Sequence, residues 1–160
     1  MGSWSRRQVL IGSGTIAASA LATSVKGDDA PTEARKWKVI VAGGHPGDPE
    51  AACGGTITRY ADQGHNVAAL YLTRGEAGVA GKSHSEAAAI RTAEAKQACD
   101  ILKARPLFAD QIDGATEISA ARYAAFRKLI DAEKPDVVFT HWPIDGHRDH
   151  LACSLLVYDA

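Results

Sequence analysis

Histidine and carboxylate side chains gather in two short stretches of this 160-residue chain. The first is His45-Pro46-Gly47-Asp48-Pro49-Glu50 and the second is Asp145-Gly146-His147-Arg148-Asp149-His150. Imidazole nitrogen and carboxylate oxygen are ordinary ligands of zinc, and a catalytic zinc keeps three protein ligands with one position left open. A His-x-x-Asp turn and a His-x-x-His turn together supply enough donors for one such ion. Asp48 has a plainer reading, since an aspartate ahead of a helix caps it without any metal. The neighbouring His45 and the second cluster weigh against that reading.

Other residues carry weaker signals. His141 and Trp142 follow a strand and suit either a pocket wall or packing. Asp145 is close enough in sequence to orient a ligating histidine from outside the metal shell. Glu76 lies in a loop after a strand, whereas His65 reads as a surface turn residue. His84, in a polar loop before a helix, is a candidate substrate contact. Cys53, Cys99 and Cys153 form no CxxC pair, so small buried apolar residues are expected rather than a disulfide or a cysteine metal site.

The elements that must position these residues alternate. Lys38–Ala42 is a β-branched run that predicts a buried strand. A helix follows from Pro49 to Gln63, with Asp48 as its expected cap, Pro49 at its first position and Gly64 closing it. Asn66–Leu72 predicts a second strand, and the Ala-rich Ser85–Leu102 a second helix. Pro106–Ala109 predicts a short strand, Ser119–Glu133 a helix, Asp136–Thr140 a strand and His150–Tyr158 a final helix. This order implies an α/β fold with a mainly parallel sheet flanked by helices. Both histidine clusters follow strands, so they fall on the carboxyl edge of the sheet, where α/β sites form. Gly43-Gly44 lacks the rest of a GxGxxG fingerprint, which argues against a dinucleotide loop.

Composition narrows the partners. Apolar residues make up 46% of the chain, enough for a core, and 18 basic against 19 acidic residues leave no basic stripe for nucleic acid. Residues 1–36 read as a leader and linker. Arg6-Arg7 precedes a Gly/Ala/Ser-rich apolar run to Ala22, too short and weak for a stable membrane span. The arginine pair resembles a twin-arginine export signal, which implies a periplasmic or extracellular location. The fold is expected over residues 37–160.

The two histidine motifs in combination resemble the PIG-L/LmbE-like family of zinc-dependent N-deacetylases. That family shows His-Pro-Asp-Asp-x-Glu after a strand and a later His-Pro-Asp-His. Cys53-Gly54-Gly55-Thr56-Ile57 and Leu72-Thr73-Arg74-Gly75-Glu76-Ala77-Gly78 are similar to its intervening motifs, so the likeness runs from about Lys38 to Ala152. It implies a Rossmann-like fold and a hydrolase that removes an acetyl or other acyl group from an N-acylated amino sugar or glycoconjugate. It implies His45, Asp48 and His150 as ligands of zinc or another divalent metal. His147 would protonate the leaving amine or steady the oxyanion, and Asp149 would tune His147 or the metal shell.

Gly47 departs from the family motif, because it stands where the family's general-base aspartate belongs. General-base help is worth about 10²–10⁴-fold in rate. Glu50, Glu76 and Asp149 are the candidate substitutes. The alternatives are that the metal suffices alone, or that the chain is a non-catalytic metal- or carbohydrate-binding module on the same fold. Family members also continue past the second histidine motif, whereas this chain stops at Ala160 inside an expected helix, so an incomplete domain is the expectation.

Overall fold

The computed structural model describes residues 35–160, and the expected export signal lies outside them. Eight elements alternate along the chain. They are β1 (Lys38–Gly43), α1 (Asp48–Asp62), β2 (Asn66–Thr73), α2 (His84–Leu102), β3 (Arg105–Gln111), α3 (Ala120–Glu133), β4 (Val137–Phe139) and α4 (Arg148–Asp159). The four strands form one parallel sheet in the order β3-β2-β1-β4. No helix among the described residues is long and apolar enough to cross a membrane.

Side-chain alternation along β1 and β2 divides the core between the two faces of the sheet. Ile40, Ala42, Ala68, Leu70 and Leu72 pack with Phe126 of α3 and Ala152, Cys153 and Leu156 of α4. Val39, Val41 and Val67 pack on the other face with Ile57 of α1. Ala69 and Tyr71 meet Ala95 and Cys99 of α2. Strands covered on both faces read as continuous apolar runs, which is why β1 and β2 were visible in the sequence. All three cysteines are free; Cys99 and Cys153 are buried, and burial pushes the Cys153 thiol up to about 12.

The helix starts follow local capping chemistry. Ser83 caps α2 through Glu86 N, and Glu86 answers by accepting from Ser83 N at 3.0 Å. Ser119 caps α3 through Arg122 N. One cap differs from expectation. Gly47, at φ 108°, occupies the cap of α1, so Asp48 is the first helical residue and Pro49 the second. The Asp48 carboxylate is thereby released from capping and turns back to accept from His45 N at 2.8 Å. Strand β3 also runs two residues further than Ala109, to Gln111, through Asp110 at φ 54°.

Successive crossovers carry the chain from β1 to β2 to β3, and β4 then returns to the opposite side of β1. The strand order reverses between β1 and β4. The loops after these two strands carry the two histidine motifs, and they flank the crevice that such a reversal opens.

Candidate metal centre

Loops after β1, β3 and β4 converge at this crevice. Asp48 Oδ2 stands 3.2 Å from His45 Nδ1 and 3.2 Å from His150 Nε2. Ligands at about 2.0–2.2 Å around a tetrahedral ion are separated by roughly 3.3 Å, so both spacings suit neighbours in one coordination shell. His150 belongs to two sets of donors lying within 4.8 Å of one another, one with Asp48 and His141 and one with His45 and His147. The donor set, two imidazoles bridged by a carboxylate, is suited to zinc or a similar divalent ion.

Each of these histidines is oriented from behind. The second nitrogen of His45, Nε2, meets Asp149 Oδ2 at 3.0 Å, and His150 Nδ1 meets Asp145 Oδ2 at 3.3 Å. Carboxylates in this position fix the tautomer and raise the basicity of a metal ligand. Asp149 is fully buried and also accepts from Gly114 N at 2.7 Å and Thr116 Oγ1 at 2.6 Å. Its side chain therefore serves His45, and it touches His147 only through its backbone N–H, which donates to His147 Nδ1 at 3.3 Å. His141 stacks on His150 with ring centroids 3.9 Å apart, and its Nε2 accepts from Gly44 N at 3.0 Å. The same nitrogen lies 3.4 Å from Asp48 Oδ2, so His141 stands beside the Asp48–His150 pair.

The electrostatics favour a cation. Burial alone would lower the pKa of His45, but its hydrogen bonds to Asp48 and Asp149 and the charges of Asp48 and Asp113 hold it up at about 9. Burial opposes ionisation of Asp48 too, yet its contacts with His141 and His45, the His45 N–H it accepts and the charge of His150 keep its carboxyl far below the usual carboxylate range. Three carboxylates crowd one imidazole, and a proton on that imidazole balances part of their charge.

The remaining residues singled out from sequence divide sharply. His147 is exposed, caps α4, and packs edge-on to His45 at 4.8 Å between centroids. It lines a cavity of about 340 Å³ together with His45, Arg91 and Asp113. Glu50 does not reach this cavity. Its Oε2 accepts from Gly47 N at 3.1 Å and its Oε1 from Tyr71 OH at 2.5 Å, so it braces the start of α1. Glu76 is buried, and its Oε2 accepts from Arg74 N at 3.2 Å and Asp113 N at 3.1 Å. Both of these candidate bases hold backbone amides, and neither lines the cavity that His147 and His45 share. His65 stacks on Trp37 far from the cluster in the loop before β2, and His84 is an exposed first residue of α2.

One site residue escaped the sequence reading. Asp113 Oδ1 lies 3.2 Å from His45 Nε2, and its Oδ2 accepts from Ala77 N at 3.1 Å. The available signal was an Asp-Gly pair just after a strand of the same parallel sheet. The short expected strand left that loop unplaced.

Comparisons with known proteins agree with this architecture. The family model described as "PIG-L: GlcNAc-PI de-N-acetylase" matches residues 39–160. A diacetylchitobiose deacetylase of Thermococcus kodakarensis is 33% identical over 132 residues, which cover 77% of this chain and 48% of that protein. The N,N'-diacetylchitobiose deacetylase of Pyrococcus horikoshii superposes with a TM-score of 0.71 at 28% identity, over 76% of this chain and 48% of that one. GalB of Pseudomonas putida KT2440, a 4-carboxy-2-hydroxymuconate hydratase, shares the fold at a TM-score of 0.71 and 23% identity, over 77% of this chain and 55% of that one. The chain spans about half the length of that Thermococcus kodakarensis relative.

Proposed function

The chain belongs to the PIG-L family of GlcNAc-PI de-N-acetylases, and from that membership we propose that it is a metal-dependent N-deacetylase acting on an N-acetylated amino sugar or glycoconjugate. The observation that carries the reading is Asp48 Oδ2 at 3.2 Å from an imidazole nitrogen of both His45 and His150, beside a cavity that His147 also lines. The two diacetylchitobiose deacetylases among the relatives support the substrate class.

In this reading His45, Asp48 and His150 hold the ion, with zinc the natural choice for the donor set. A divalent ion there supplies Lewis acidity to an amide oxygen and acidity to a water molecule. The chain's own groups do the rest. Asp149 and Asp145 hold the two ligating rings in place. His147 accepts a backbone hydrogen bond at Nδ1, which leaves Nε2 to donate to the departing nitrogen or to the developing oxyanion. Arg91 closes one wall of the cavity: its guanidinium donates to Pro46 O and pairs with Glu94.

Acetate release from N-acetylglucosamine derivatives by full-length, metal-supplemented protein tests this. Turnover above that of His150→Ala is expected, and equal rates would end the hydrolase reading. Gly47 favours a second reading, a metal- or carbohydrate-binding module without turnover, and the hydratase relative shows that the fold is compatible with other chemistry. Export through the twin-arginine-type leader completes the proposal, and detection of the mature chain outside the cytoplasm checks it.

A further inference from the structure

His141 stands at the metal centre, yet neither the ligand set nor the cavity chemistry above uses it. Strand β4 delivers it there. β4 runs parallel to β1 with Phe139 opposite Val41, so His141, just beyond the strand, comes level with the Gly43-Gly44 end of β1. Its Nε2 accepts from Gly44 N at 3.0 Å and lies 3.4 Å from Asp48 Oδ2.

Proximity suggests a further ligand, since a nitrogen of His141 lies within 4.8 Å of donor atoms of Asp48 and His150. Ring orientation opposes this. An imidazole binds a cation along the nitrogen lone pair, which lies in the plane of the ring. The planes of His45 and His150 are inclined by 57°, so they cross, and one ion can lie in both. The rings of His141 and His150 are stacked, parallel to within 4°, with centroids 3.9 Å apart. Parallel planes do not cross. An ion in the plane of His150 therefore lies out of the plane of His141 and off the line of its lone pair.

The stack instead confines His150. His141 covers one face of the ring. Gly44 closes on its edge, where an added Cβ would stand 2.9 Å from Cδ2. Asp145 Oδ2 meets Nδ1 at 3.3 Å, and Nε2 is left facing Asp48 Oδ2 at 3.2 Å. Turning the ring about its Cβ–Cγ bond would drive it into His141. A ring held in this way is aimed before any ion arrives, so less rotational freedom is lost on binding. We infer that His141 is a positioning residue of the metal centre: its ring face keeps His150 on aim and so raises the affinity for the ion, without bonding to it. The inference rests on the metal-centre reading above. It gives the loop after β4 a second task, since the same loop also supplies His147.

The experiment measures zinc Kd by chelator competition, and the visible spectrum of the cobalt(II) form, on full-length protein. Wild type is compared with His141→Ala, His141→Gln and His141→Phe. His141→Gln keeps an acceptor near the position of Nε2 but has no ring, whereas His141→Phe keeps a ring face and has no nitrogen. His141→Ala and His141→Gln are expected to bind zinc about 10–100-fold more weakly, the usual effect of removing a group that orients a ligand. His141→Phe is expected to recover most of that affinity. At saturating cobalt its spectrum should match wild type, because the ligand set is unchanged. A His141→Phe protein as weak as His141→Ala would overturn the inference, since a ring face alone would then do nothing. An altered cobalt spectrum in His141→Phe would overturn it by making His141 a ligand. Wild-type affinity in all three variants ends this inference alone, whereas a wild type that binds zinc no better than His150→Ala ends the metal-centre reading with it.

Discussion

His45 has acids at both ends of its ring, Asp48 at Nδ1 and Asp113 and Asp149 at Nε2. Burial pulls its pKa down, and these partners carry it from 6.5 up to about 9 in the metal-free chain. A raised histidine pKa stabilises the fold fully below the unfolded value and loses that contribution as pH climbs through the folded value. Metal-free protein should therefore lose thermal stability between about pH 6.5 and pH 9. His45→Gln should lack this slope, and so should metal-loaded wild type, where the ion takes the proton's place. Thermal melts of chelator-treated protein across that range decide it. Parallel curves for wild type and His45→Gln would remove His45 as the source.

The loop between β1 and α1 works because it lacks side chains at two points. A Cβ on Gly44 would meet His150 Cδ2 at 2.9 Å and Asp48 Oδ2 at 3.4 Å. Gly44→Ala should therefore displace the His150 ring and deplete bound metal, while circular dichroism stays native. Full metal content in that variant would show that the ring has room to move. At Gly47 the restriction is conformational, since a left-handed backbone costs an L-residue about 1–2 kcal/mol. Gly47→Asp should lower the melting temperature and bring no increase in turnover, measured side by side with wild type. A faster Gly47→Asp enzyme would mean that the loop adapts, and that the family's usual arrangement is within reach of this chain.

For the molecule as a whole, the sheet is both scaffold and aiming device. Its two central strands are buried on both faces, and Leu70 in β2 is fully enclosed by the α3 and α4 side of the core. Leu70→Ala should cost about 2–5 kcal/mol, read as a lower urea midpoint with an unchanged slope. Metal binding to the folded state adds stability by mass action, so the midpoint of the same variant should rise again on adding zinc. A midpoint that zinc leaves unmoved would argue that the loops and the core are not energetically joined.

The sequence by itself determined the parts whose causes are local. Lys38–Ala42 and Asn66–Leu72 are continuous apolar runs and became β1 and β2; Ser83 and Ser119 cap the helices that follow them. The alternation of strand and helix placed both histidine motifs on one sheet edge, and the family resemblance joined them. Tertiary structure decided which acid faces which base. Local pattern made Asp48 a cap, but the left-handed Gly47 took that place. Glu50 is close to His45 in sequence, yet Tyr71 OH of β2 draws its carboxylate away. Asp113 is remote in sequence, yet reaches His45 because β3 runs on to Gln111 and turns at Asp110. Propensity and capping act over a few residues. The approach of side chains from different loops depends on strand order and strand length, which are properties of the folded sheet.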